Sequence, residues 1–305
     1  MKFGAWIHGR SKPSLTESIL QAGAAGLETI RSYSIEYSRE VAPTLKTTGL
    51  SLLAGMHIDA PALAADWRSQ LNFAELEANL ELGVDLAGIC VGNELREGGD
   101  DFDTKEFTGK LAEGLANVLN AYRNLIKLKG RNVPLTYANE AITFNPDGSV
   151  RPETLPMLEA CDIIGVNLYP MDGVGWQGEE AFVLNRQLLM DKPTQDEQFE
   201  KFESQLRTVM AAVKKLDKTA ILTETGFPSA IDFILTGQIA PGQERYAGVH
   251  AREAYENAMH RFLGIIKSVN YEYNERIQAV YFYEWQDNLY HRKIWNIEKS
   301  PIHVA

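Results

Sequence analysis

Leu86-Ala87-Gly88-Ile89-Cys90-Val91, followed at once by Gly92-Asn93-Glu94, is a short apolar run that ends in polar side chains. Runs this short and this continuously apolar suit strands of a parallel sheet covered on both sides. Outward from it, the same pattern recurs. Phe3 to Ile7, Leu27 to Ile30 and Leu50 to Met56 are predicted strands upstream, and Val133 to Tyr137, Ile163 to Leu168, Ala220 to Leu222 and Ile277 to Phe282 downstream. Helical patterns separate them. Ser14 with Glu17 three residues later forms a capping box that opens the first helix. The others are Glu36 to Leu45, a helix within Asp66 to Leu82, Lys105 to Lys129 closed by Gly130, a helix near Glu153 to Glu159, Asp196 to Leu216, and Glu244 to Ile266. Eight strands with a helix in each of the seven connections predict a closed (β/α)8 TIM barrel, with a doubly wound open sheet as the rival. No shift in composition and no linker divides the chain, so residues 1 to 305 are read as one barrel domain. That length is ordinary for such a fold, which needs about 250 residues and more with insertions.

A barrel makes a prediction that the sequence itself can test: chemistry gathers at the C-terminal ends of the strands. The residues there are Trp6 and His8, Arg31 and Tyr33, His57 and Asp59, Asn93 and Glu94, Asn139 and Glu140, Asn167 and Tyr169, Glu224, and Glu284 and Trp285. Every predicted strand ends in hydrogen-bonding or aromatic side chains. The opposite ends carry turn formers and exposed charges. At 45% hydrophobic and 23% charged, the chain is able to bury a large core. Its formal net charge of −11 repels nucleic acid and anionic membranes, and no basic stripe offsets it. Cys90 and Cys161 each lie at or beside an apolar run and read as small buried hydrophobes.

Two carboxylates at the ends of two parallel strands are what retaining glycoside hydrolysis requires. One is protonated as the acid and one ionised as the nucleophile, about 5–5.5 Å apart. Glu94 is read as the general acid/base and Glu224 as the nucleophile. Asn93 is placed to bond a sugar 2-hydroxyl, and Arg31 to keep Glu224 ionised. Tyr33 and Tyr169 are candidates to hold the same carboxylate or the sugar. Trp176 and Trp285 are stacking candidates, and Glu284, Asp59 and Glu140 are further substrate-binding candidates. Each has a plainer reading: a Glu after a strand often serves a helix end or the surface, and Trp176 packs its own loop. The conjunction of two Glu on strands four and seven of eight favours chemistry.

Five segments carry a family resemblance. Val91-Gly92-Asn93-Glu94, Thr223-Glu224-Thr225-Gly226-Phe227-Pro228-Ser229, Ile30-Arg31-Ser32-Tyr33, Val166-Asn167-Leu168-Tyr169-Pro170 and Phe282-Tyr283-Glu284 occur in the order seen in the glycoside hydrolases of clan A. The chain most resembles glycoside hydrolase family 17, which contains β-1,3-glucan hydrolases and β-1,3-glucanosyltransferases. The resemblance implies Glu94 as acid/base, Glu224 as nucleophile and Glu284 as a substrate-binding residue. It departs at Met56-His57-Ile58-Asp59, where the family has a short Pro-Asn segment. It departs again at Phe227, where Trp is commoner, at Asn139-Glu140, and at Trp285-Gln286-Asp287 after Glu284.

The expected substrate is an oligo- or polysaccharide, most simply a β-1,3-glucan, with another β-glucan or a β-galactan linkage as the alternative. Water as acceptor gives hydrolysis; a sugar hydroxyl gives transglycosylation. No cofactor and no metal is expected. Two rivals remain: a metal-dependent hydrolase using His8, His57, Asp59 and Glu140, against which no H-x-H or H-E-x-x-H pair appears, and a binding-only barrel. Met1 to His8 does not read as a signal peptide and no apolar run approaches 18 residues. The sequence as it stands predicts a cytoplasmic protein, or a secreted or periplasmic one if a leader was removed.

Overall fold

The structure, a computed structural model, describes residues 1–6, 15–95, 109–140, 144–145, 147–170, 192–226 and 249–283. Eight strands form it: β1 (Lys2–Trp6), β2 (Thr29–Arg31), β3 (Ser51–Met56), β4 (Leu86–Asn93), β5 (Leu135–Glu140), β6 (Ile164–Asn167), β7 (Ala220–Thr225) and β8 (Ile277–Phe282). Each pairs in parallel with the next, and β8 pairs back onto β1, with Phe3 opposite Val280 and Ala5 opposite Phe282. That closure is the (β/α)8 barrel and overturns the open-sheet rival.

Between the strands lie α1 (Leu15–Ala24), α2 (Ile35–Thr48), α3 (Ala60–Ala65), α4 (Phe73–Leu80), α5 (Gly109–Leu128), α6 (Leu155–Ala160), α7 (Lys192–Lys215) and α8 (Val249–Glu272). The third connection is more broken than its apolar spacing suggests. Asp59 caps α3 by accepting the Ala62 amide, a 3-10 turn spans Trp67–Gln70, and Asn72 caps α4 by accepting the Glu75 amide while donating back to the Glu75 carboxylate. Asx and Ser/Thr side chains satisfy the first free amides of a helix in this way. Ser14, the predicted opening cap of α1, lies outside the described residues.

Strand alternation sorts the core into two compartments. On β3, Leu52 and Ala54 face the helices while Leu53 faces inward; on β4, Ile89 and Val91 face out and Cys90 in. The inner compartment holds Leu53, Cys90, Ala138, Ile221, Ala279 and Tyr281. Tyr281 and Thr29 share a hydrogen bond at 3.0 Å across it. The barrel is therefore filled, as small barrels are. Both cysteines are buried and free; burial pushes the Cys161 thiol up to about 12. Among the described residues no helix is long and apolar enough to cross a membrane.

Three strands run further than their apolar cores predicted. β4 continues through Asn93, β5 through Glu140 and β7 through Thr225. Asn139 and Glu140 are thus strand residues, not residues after one. Backbone pairing sets the ladder, and it carries on past the apolar residues into polar ones.

The opposite rim is held by structural ties. Asp162 accepts the Leu135 amide at the start of β5 and the Arg123 guanidinium from α5 at 2.9 and 3.1 Å. Asp162→Ala should lower stability by about 1 kcal/mol and leave kcat unchanged, because that rim is remote from strand C-terminal ends. Urea unfolding and steady-state kinetics on the same preparation check both halves.

Candidate active site

Arg31 sits at the end of β2, 1% exposed, and its interior position follows from alternation with Thr29 on the same face. Its Nη1 donates to Glu224 Oε1 at 2.8 Å and to the Thr223 carbonyl at 2.7 Å; its Nη2 donates to Asn93 Oδ1 at 2.9 Å. Burial would pull this guanidinium down, but the charge of Glu224, aided by Cys90 and Tyr169, holds it above its ordinary value. The coupling is reciprocal: the guanidinium favours the ionised Glu224. Tyr33 donates a hydrogen bond to the same Oε1, and Tyr169 donates to Oε2 at 2.8 Å. Both oxygens of a carboxylate only 6% exposed are thereby fixed.

Glu94 reaches the same chamber from β4. Asn167 Nδ2, on β6, donates to Glu94 Oε1 at 2.7 Å and to Asn93 Oδ1 at 3.1 Å, while its own Oδ1 accepts from Thr223 at 2.7 Å. A continuous network results, from Glu94 through Asn167, Asn93 and Arg31 to Glu224. Two donors converge on Asn93 Oδ1, which turns the NH2 of that amide the other way. Beneath Glu94, the Tyr137 hydroxyl accepts the Leu95 amide at 2.7 Å. Burial first, then the charges of Glu94 and Glu140, push the Tyr137 phenol well up.

Regular strands send consecutive side chains to opposite faces, yet Asn93 and Glu94, and likewise Thr223 and Glu224, all enter the network. The register explains it. On β4, Cys90 faces Thr136 and Asn93 faces Ala138, three residues against two. On β7, Val166 faces Leu222 and Asn167 faces Glu224, one step against two. Each glutamate strand carries one extra residue just before its carboxylate, the bulge that re-aims side chains beside active sites. Gly92 adopts φ +80 within the first, and Glu94 itself sits at φ 46, a left-handed conformation costly for a residue with a Cβ.

Gly55 matters for a different reason. A Cβ there would lie 2.4 Å from the Ser32 carbonyl oxygen and 2.5 Å from the Tyr33 carbonyl carbon. Gly55→Ala must push the β2 end outward, at about 1–3 kcal/mol, and should drag Tyr33 off Glu224. A fall in melting temperature accompanied by a fall in kcat is expected; full kcat in the variant would show that Tyr33 tolerates the shift.

The remaining candidates fall as follows. Asp59 is exposed and its carboxylate caps α3. Glu140 is half-buried at the end of β5, register-paired with Asn167. Trp176, Glu284, Trp285 and His8 lie outside the described residues. A small cavity of about 80 Å³ opens between the ends of β2, β3 and β4, lined by Arg31, Tyr33, Gly55, His57, Cys90 and Asn93 among others. Among the described residues no group of three or more His, Cys, Asp or Glu is gathered as a metal-binding set. Position at a strand end picked out Arg31, Tyr33 and Tyr169. Asn167 stood among the same strand-end residues without a role assigned, and Thr223 was not singled out, its polar side chain beside Glu224 being the available signal.

Solved structures share this architecture. The chain matches a β-glucuronidase from Ruminococcus gnavus in complex with D-glucuronic acid at TM-score 0.62 and 14% identity, over 97% of this chain and 46% of that one. It matches an endo-laminarinase from Formosa Hel1_33_131 at TM-score 0.57 and 16% identity, over 98% of this chain and 82% of that one. A β-D-glucuronidase of Dictyoglomus thermophilum follows at TM-score 0.56 and 14% identity, over 96% and 46%. Known glycosidases use this barrel. At such identities the likeness establishes the fold, and the chain spans about half the length of the β-glucuronidases. No protein-family model and no curated protein matches the sequence.

Proposed function

We propose that this protein is a retaining β-glycosidase, with Glu224 as nucleophile and Glu94 as general acid/base. One observation carries the reading: two glutamates, delivered by bulges on β4 and β7, are joined by a single hydrogen-bond network that treats them differently. Glu224 is clasped by a buried guanidinium and two phenols, an environment for a carboxylate that stays ionised. Glu94 accepts a neutral amide donor, Asn167 Nδ2, at 2.7 Å. Pairs of carboxyl groups set apart by their surroundings are how acid and nucleophile roles are divided.

In the first step Glu224 attacks the anomeric carbon while Glu94 gives its proton to the leaving oxygen. In the second, Glu94 takes a proton from the incoming hydroxyl, which displaces Glu224. The NH2 of Asn93 is the donor for the sugar 2-hydroxyl. Arg31, Tyr33 and Tyr169 hold Glu224 on its line of attack.

The favoured substrate is a β-1,3-glucan. The five motifs support it, and the endo-laminarinase among the structural neighbours agrees with it. Product analysis on β-glucan and β-galactan oligosaccharides, wild type beside Glu224→Ala, tests the reading. Glu224-dependent shortening of β-1,3-glucans supports hydrolysis, and elongation supports transfer. Glu224-dependent action on another linkage keeps the mechanism and removes the substrate. Turnover indifferent to Glu224, or none at all, removes both.

A further inference from the structure

Tyr33 is held by more than its hydrogen bond. Its backbone lies against Gly55, and the Arg31 guanidinium stands over its ring at 4.7 Å. The third side is closed by Trp6, at the end of β1, whose ring meets Tyr33 edge to face at 4.7 Å between centroids and 76° between planes. Trp6 is itself seated: Tyr283, just past β8, stacks on it at 4.5 Å and 13°. The Tyr283 amide donates to the Thr225 carbonyl, one residue beyond Glu224. Register explains the meeting. Trp6 pairs with Arg31 on β2, and Ala5 pairs with Phe282 on β8, so Trp6 bridges both neighbours. At 7% exposure Trp6 offers little surface to a ligand.

We infer that Trp6 is a positioning residue for the reaction: it fixes the ring of Tyr33, and through the Tyr33 hydroxyl the aim of Glu224. This rests on Glu224 being the nucleophile. Edge-to-face and stacked aromatic pairs attract beyond what their burial alone provides, which favours one Tyr33 rotamer over its neighbours. Cutting Trp6 back removes that ring contact and with it one of the supports of the phenol. A displacement of the attacking group by about 1 Å is able to reduce rate by about 100-fold.

The experiment is a double-mutant cycle read on an oligosaccharide turned over by the wild type, with Glu224→Ala as reference. Trp6→Leu should lower kcat by about 10- to 100-fold with KM within about two-fold, and Trp6→Phe, which keeps an aromatic edge, should recover most of it. In a Tyr33→Phe background, where no hydroxyl reaches Glu224, Trp6→Leu should lower kcat no further. Tyr283→Leu unseats the indole from its other side and should show the same dependence on Tyr33, which keeps the test available if Trp6→Leu does not fold. Equal losses in both backgrounds, or a change confined to KM, overturn the inference while Glu224-dependent turnover upholds the mechanism. Turnover that does not need Glu224 overturns both.

Discussion

Glu224→Gln is expected to reduce kcat/KM by about 10⁴- to 10⁶-fold, more than the roughly 10²- to 10⁴-fold expected for Glu94→Gln. The amide keeps an oxygen to accept from Arg31 and Tyr33, so the pocket stays built and the loss reports chemistry. A second observable separates the two glutamates. In Glu224→Ala an added small anion such as azide enters from the vacated face and attacks an aryl β-glycoside directly, giving a product of inverted configuration. In Glu94→Ala the anion attacks the glycosyl-enzyme from the opposite face, and the product retains configuration. Anomeric NMR coupling constants distinguish the two. The same configuration from both variants would sink the assignment of roles.

The second large effect is on stability as well as rate. Arg31→Met leaves the buried Glu224 carboxylate without its cation, and removing one partner of a buried pair is destabilising by about 3–5 kcal/mol. The pH dependence has a definite sign. Arg31 favours the ionised carboxylate, so its contribution is present at neutral pH and is lost as acid protonates Glu224. The gap between wild type and variant should therefore be widest near neutrality and narrow as pH falls. For the same reason the acid limb of kcat/KM should move to higher pH in the variant, with measured values belonging to the coupled carboxyl pair. Urea unfolding at several pH values and a pH–rate profile provide the two measurements. A gap that does not change with pH would mean that Arg31 stabilises through packing alone.

Much of the fold was legible because it is written in local pattern. Eight apolar runs with polar C-terminal ends locate the barrel and its candidate site, since strands buried on both sides have no other place for such side chains. Arg31 with Tyr33, and Asn167 with Tyr169, are two apart and so share a face. What alternation could not provide is the simultaneous use of Asn93 with Glu94 and of Thr223 with Glu224. That depends on one extra residue relative to the neighbouring strand, and a register is a property of two strands together. Gly92 was the local trace of it. The role of Asp59 as cap of α3 was also hidden, because an Asp three residues past a strand reads equally as site or as helix start.

The ring of strands has a consequence for how the protein is made. Closed, it has no unpaired strand edge, and so nothing on which another chain's strand would add. That protection arrives only with the last segment, because β8 is the strand that seals β1. During synthesis, at roughly 5–20 residues per second, the nascent chain carries open strand edges for tens of seconds. Chains that stall or are clipped before residue 277 keep those edges for good. Inclusion bodies of this protein should accordingly be enriched in carboxy-terminally truncated products.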